Sequence, residues 1–112
     1  MSRPLSLILA RNLLSSMTTP GVLVDAGGSV AFFNDAAGTL LGRRYEESGP
    51  MSAAAWTSEY GQELKGNPAS HHRVRLRTRT GARELEATGV PIHAEGGFQG
   101  AMVFLWPLDE DA

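Results

Sequence analysis

GVLVDAGGSVAFFNDAAGTLLG, residues Gly21 to Gly42, is the stretch on which the reading of the fold turns. Two short apolar runs, Val22-Leu23-Val24 and Val30-Ala31-Phe32-Phe33, are rich in β-branched and aromatic residues. Between them, Asp25-Ala26-Gly27-Gly28-Ser29 has hairpin-turn chemistry, because glycine reaches positive φ without a Cβ clash. Asn34 follows at once. Its side-chain oxygen can accept from an early helical N–H, which makes it an N-cap whose loss is expected to cost about 1 kcal/mol. Ala36, Ala37, Leu40 and Leu41 then recur at helical spacing, and Gly42 suits a left-handed helix end. A hairpin feeding a short capped helix needs further strands to bury its apolar face.

Those strands lie downstream. From Ser70 to Arg79, Val74, Leu76 and Thr78 alternate with Arg73, Arg75, Arg77 and Arg79, a period of two. Thr80-Gly81-Ala82 turns the chain, and Arg83 to Ala87 runs back with Leu85 and Ala87 inward and Glu84 and Glu86 toward the arginines. Val90-Pro91-Ile92 continues this strand past a bulge, since proline cannot donate to a central ladder. Ala101 to Trp106 is apolar on both parities, so it is covered on both sides and central. The order strand, strand, helices, strand, strand, strand predicts an α+β fold with a five-stranded antiparallel sheet. Between the two groups of strands, Tyr45-Glu46-Glu47 reads as a turn of helix and Met51 to Trp56 as a short helix. Gln62 to Lys65 reads as another turn, stopped by Gly66-Asn67-Pro68.

At 112 residues the chain is one domain with one core. A net charge of −2 gives no global attraction to nucleic acid or anionic lipid. The absence of cysteine removes disulfides, thiolate metal sites, cysteine nucleophiles and covalent flavin–cysteine adducts, and agrees with a cytoplasmic location. The run Leu5 to Ala10 is interrupted by Arg11 and Asn12 and falls far short of the roughly 20 apolar residues of a membrane span. It reads as an amphipathic helix opened by Ser2 and Pro4 and ending near Ser16. Leu5, Ile8, Leu9, Leu13 and Met17 form its stripe, widened by Leu7 and Leu14. The stripe can pack on its own domain or on a second copy, and its width favours dimerisation. The expected organisation is a dimerisation helix over 1–18, the sheet domain over 19–108 and an acidic tail over 109–112.

Chemistry is sparse. The arginines of the strand read as cross-strand partners of Glu84 and Glu86, not as a phosphate track, because no aromatic residue interleaves them. His71 and His72 point to opposite sides of a strand and His93 sits near the last turn, so a closed metal site is not expected. Ser58, His71 or His72, and Asp25 have the residue types of a triad, but no strained strand-to-helix elbow presents the serine. No enzymatic activity is expected.

The hairpin Gly28, Val30, Phe32 with Phe33, Asn34, and the helix Ala36-Ala37 ending Leu40-Leu41-Gly42, resemble the opening of a PAS domain. Val90-Pro91-Ile92, the Gly96-Gly97 turn and Phe98 to Val103 resemble the family's last hairpin. The resemblance implies a PAS-like sheet with short helices on one face and the N-terminal helix on the other. It implies a sensory or signal-transduction module, associated with transcription regulation or a kinase, that binds a small ligand or protein partner and signals through dimer packing. Its pocket would be lined by Phe33, Ala37, Leu41, Trp56, Leu76, Leu85, Val103 and Leu105. The same residues would equally form a filled core in a ligand-free homodimerisation module. Its dimer interface would use Leu5, Ile8, Leu9, Leu13 and Met17 with the outer-face residues Phe32, Met102, Phe104 and Trp106. No cofactor is required. A b-type haem on one histidine and non-covalent flavin stand as less favoured alternatives.

Overall fold

The computed structural model describes residues 5–64, 71–94 and 96–108. Along them run α1 (Leu5–Ser15), β1 (Gly21–Asp25), β2 (Val30–Phe33), α2 (Asp35–Leu41), α3 (Tyr45–Ser48), α4 (Ala53–Tyr60), β3 (His71–Thr78), β4 (Gly81–Ala94) and β5 (Gly97–Pro107). The strands form one antiparallel sheet in the order β2-β1-β5-β4-β3. The last strand is central, as its two-sided apolar pattern predicts. It pairs with β1 through Val22↔Val103 and with β4 through Ala87↔Leu105. The opening hairpin therefore abuts it directly. Asp25 closes that hairpin, its Oδ1 accepting from the N–H groups of Gly27 (3.0 Å) and Ser29 (2.9 Å).

Each sheet face has its own apolar cluster. Val22, Val24, Phe33, Leu76, Leu85, Val103 and Leu105 point to the side covered by α2 and α4. Leu23, Ala31, Phe32, Met102 and Phe104 point to the other side, where Leu7, Ala10 and Leu14 of α1 cover them. At the outer edge of the sheet, β2 is blocked by Met51, which exchanges two backbone hydrogen bonds with Val30 (2.7 and 2.9 Å). In the β3–β4 ladder Arg75 lies opposite Glu84 and Arg73 opposite Glu86, the cross-strand arrangement predicted for the arginines.

The structure corrects three local expectations and resolves a fourth that the sequence left open. Met51 is a bridge residue and not helical; the helix starts at Ala53, capped by Ser52 Oγ, which accepts from Ala55 N–H (3.0 Å). Gln62 does not continue a helix, because Gly61 ends α4 in the left-handed region and the Gln62 side chain accepts from the Arg75 N–H (2.8 Å). The α1 residues that face the sheet are Leu7, Ala10 and Leu14, whereas Leu5, Ile8, Leu9 and Leu13 are exposed. The β4 irregularity falls between Ile92 and His93, beyond Pro91. Among the described residues β3 pairs with β4 only as far as Thr88, and Pro91 pairs with Ala101 of β5 on the other side. The predicted helix start at Ser2 and Pro4, the Gly66-Asn67-Pro68 stop and the acidic tail from Asp109 lie outside the described residues.

That irregularity depends on one glycine. Ile92 pairs with Gly100 and His93 with Phe98, so Gln99 is the extra residue of β5. Gly100 has φ +145°, and a Cβ there would collide with the Val24 carbonyl oxygen of β1. Gly97 also has positive φ (+101°) but faces open space. Gly100→Ala is expected to cost roughly 3 kcal/mol or more, and Gly97→Ala about 1 kcal/mol. Urea midpoints of the two variants check this, and equal losses would contradict the close approach of β5 to β1.

Candidate functional site

Asn34 stands where β2 ends and α2 begins, in extended conformation and 2% exposed. Its Oδ1 accepts from Ala37 N–H (3.0 Å), the cap predicted from sequence, and also from Gly21 N–H (3.1 Å) at the start of β1. Its Nδ2 donates to the Leu14 carbonyl (3.0 Å) in the last turn of α1 and to the Thr19 carbonyl (2.8 Å) in the linker that follows. Four bonds satisfy the buried amide and tie α1, β1 and α2 to one side chain. Sequence reasoning found the first bond only, since the other partners are 13 to 20 residues away along the chain.

The eight predicted pocket residues all come together. Phe33, Ala37, Leu41, Trp56, Leu76, Leu85, Val103 and Leu105 belong to one buried cluster, none more than 6% exposed. Rings fill much of the space among them. Phe33 meets Tyr45 edge-on with centroids 5.5 Å apart, and Trp56 lies 4.4 Å from Tyr60. The Trp56 indole N–H is satisfied by the Gln62 carbonyl (3.0 Å), but the buried Tyr60 hydroxyl has no hydrogen-bond partner among the described residues. Burial pushes the Tyr60 phenol above its ordinary value; the Glu59 carboxylate adds to the rise and Arg43 opposes it. Clefts on the surface are lined by other residues, among them one beside Arg43, Arg44 and Tyr45, one beside Arg79 and Arg83, and one between α1 and the β1–β2 hairpin.

On the outer face, α1 presents two opposite apolar surfaces. Leu7, Ala10 and Leu14 are seated on the sheet, while Leu5, Ile8, Leu9 and Leu13 face outward. Of the other predicted interface residues, Phe32 is buried and Met17, Met102 and Phe104 are partly buried against the same cluster, within their own chain. Trp106, on the same sheet face, is 45% exposed. Arg11 reinforces the seam, its guanidinium 4.6 Å from the Phe32 ring centroid.

No protein-family model matches the chain, and no curated protein sequence does. Among solved structures the chain is similar to the PAS domain of BvgS from Bordetella pertussis, with a TM-score of 0.69 and 17% identity over 94% of this chain and 87% of that one. This chain has a PAS fold. The likeness read from the hairpin, the short capped helix and the last hairpin is thus borne out as architecture, in spite of the low identity. Within that fold, the inner cluster lies between the sheet and α2–α4, and α1 occupies the opposite sheet face.

The remaining candidates are dispersed. Ser58 is exposed on α4, and the Asp25 carboxylate is engaged by its own turn. His93 stacks edge-on with Phe98 at the last hairpin (5.8 Å). His71 pairs with Thr88 in the ladder, and its side chain lies outside the described residues. Among the described residues no three His, Asp or Glu side chains gather as metal ligands, and no helix is long and apolar enough to cross a membrane.

Two variants test this geometry. Asn34→Ala leaves the Leu14 and Thr19 carbonyls and the Gly21 N–H without their partner, so the expected loss is about 3 kcal/mol. An observed urea-unfolding loss near 1 kcal/mol would mean that the cap alone matters. For Tyr60 the sign follows from proton binding. A phenol whose folded-state pKa exceeds its unfolded value near 10 keeps its proton after the unfolded chain has lost it, so stability falls as pH rises above about 10. Tyr60→Phe is expected to remove that part of the alkaline loss and to raise neutral-pH stability by about 1 kcal/mol. Melting temperatures at about pH 7 and about pH 10.5 check both; a clear drop at neutral pH would show that the hydroxyl has a partner.

Proposed function

We propose that this chain is a non-enzymatic signalling and interaction module that works as a homodimer, with α1 as the contact between copies. The observation that carries this reading is the second apolar face of α1. Leu5 is 68% exposed, Ile8 43%, Leu9 58% and Leu13 52%, on the side opposite the residues seated on the sheet. Complete burial of such side chains is worth roughly 1.5–3 kcal/mol each, set against the cost of association. A helix bound on one side to its own sheet and on the other to its copy transmits a change in either contact. The signal is then a shift between two arrangements of α1, driven only by a partner or ligand that prefers one of them.

In this reading the inner cluster is a packed platform. A specific observation favours a second reading, in which the interior holds a small ligand: the buried Tyr60 hydroxyl there has no partner among the described residues. A ligand with a hydrogen-bonding group in that space would satisfy it.

Sedimentation velocity at high micromolar concentration tests the first reading. The chain is expected to be a dimer, and Leu9→Glu with Leu13→Glu a monomer with unchanged circular dichroism. A monomeric parent chain, or a dimer that survives the double substitution, would overturn the interface. Native mass spectrometry separates the two readings of the core. A mass equal to protein alone, as one or two copies, supports the packed platform, and a retained small molecule supports the ligand.

A further inference from the structure

We infer that the cleft between α2 and the β3–β4 turn binds a small anion carrying phosphate or carboxylate groups. The cleft has a volume of about 420 Å³ and is lined by Arg79, Arg83, Thr18, Thr39 and Thr80, with Leu40 among its apolar contacts and, among the described residues, no carboxylate in its wall. That size lies in the range of small-molecule sites, roughly 300–1,000 Å³. Guanidinium forks and the hydroxyls of Thr18 and Thr39 are the side-chain donors that recognise such oxygens; the Thr80 hydroxyl, 3.3 Å from Thr78 Oγ1, donates to that atom.

The charge pattern singles out these two arginines. Arg43 lies 3.7 Å from Glu59, Arg44 3.8 Å from Glu46 and Arg73 4.0 Å from Glu84. Arg77 donates to the Glu59 carbonyl (2.6 Å), Arg75 stands opposite Glu84 in the ladder, and Arg11 lies over the Phe32 ring. Among the described residues Arg79 and Arg83 have no carboxylate within ion-pair distance. Two like charges on one cleft repel, and an anion between them reverses the sign of that interaction. The adjoining cleft shares Thr39 and Arg79 and adds Arg43 and Arg44, but Asp35 and Glu47 also line it. The anion is therefore assigned to the Arg79–Arg83 side.

The backbone holds this site in place. Arg79 N–H donates to the Leu40 carbonyl (3.0 Å), joining the turn to the end of α2. Gly42, in the left-handed region at φ +86°, lets that turn approach so closely that a Cβ would lie 3.1 Å from Arg79 Cβ. Thr78, 7% exposed, fixes the turn by donating to the Gly81 carbonyl (2.7 Å) and accepting from Thr80 N–H (3.2 Å). The donors thus stand on a rigid frame, which lowers the ordering cost of binding. The site does not depend on the dimer reading.

The test is an NMR titration of the ¹⁵N-labelled full chain with inorganic pyrophosphate and, separately, succinate, at constant ionic strength. Saturable shifts of the Thr39, Thr80 and Arg83 amides are expected, and the probe that saturates at lower concentration identifies phosphate or carboxylate as the preferred group. Arg79→Gln with Arg83→Gln should weaken binding by about tenfold or more, whereas Arg73→Gln with Arg75→Gln should leave it unchanged. Shifts matched by sodium chloride, no saturation with either probe, or saturation undiminished in the Arg79/Arg83 variant would each overturn the proposal.

Discussion

A single buried carboxamide holds the chain's two layers in register. Asn34 has two donor hydrogens and an oxygen with two lone pairs, and the fold supplies a partner for each from α1, the linker, β1 and α2. Water does not reach the group, so these four bonds cannot be exchanged for hydration without opening the structure. The linker from α1 to β1 must therefore return to one place, the start of α2. This is why α1 lies across the outer sheet face and does not extend away from it.

The sheet imposes the complementary constraint. A central strand apolar on both parities cannot be satisfied by one layer of helices. Val103 and Leu105 are buried under the α2–α4 side, but Met102 and Phe104 point the other way and need cover from α1. The helix that supplies it is apolar on two opposite faces, which a helix covered on one side only has no reason to be. The same two-sidedness that closes the domain core thus leaves a surplus apolar face on α1. Trp106, at the end of the central strand, adds further apolar surface on that side of the sheet.

Much of this was legible in the residues. Period-two alternation located β3, the two-sided run of β5 placed it centrally, and the Asn34–Gly42 punctuation set both ends of α2, because each signal is local and its physical cause lies within a few residues. The inner cluster followed from parity once the likeness to PAS hairpins fixed which face Phe33 occupies. Illegible features depended on distant partners. Met51 has good helical neighbours, yet the open edge of β2 takes its backbone into a bridge. On α1 every apolar residue fits some stripe, so periodicity alone could not separate Leu7, Ala10 and Leu14 from the outward set. Arg79 reads as the end of the arginine stripe, and Arg83 as no more than the opening of the returning strand. Only the fold shows that the turn between them is bound to α2, with both arginines lining one cleft with Thr18, Thr39 and Thr80.

The two ends of α2 connect these features. The helix has seven residues and is about 10 Å long. Asn34 fastens its first turn to the α1 exit, and the Leu40 carbonyl and Gly42 fasten its last turn to the arginine-bearing turn. Thr18, in the linker itself, lines the arginine cleft, and the next carbonyl along, that of Thr19, is an acceptor of Asn34. Occupation of the cleft and the position of α1 therefore act on the same few backbone atoms. If the anion prefers one arrangement of the linker, dimer contacts through α1 must change its affinity by the same factor, since the coupling is reciprocal. If it binds both arrangements equally, it shifts nothing, however tightly it is held. The geometry of the linker, and not the strength of the arginine contacts, decides between these cases.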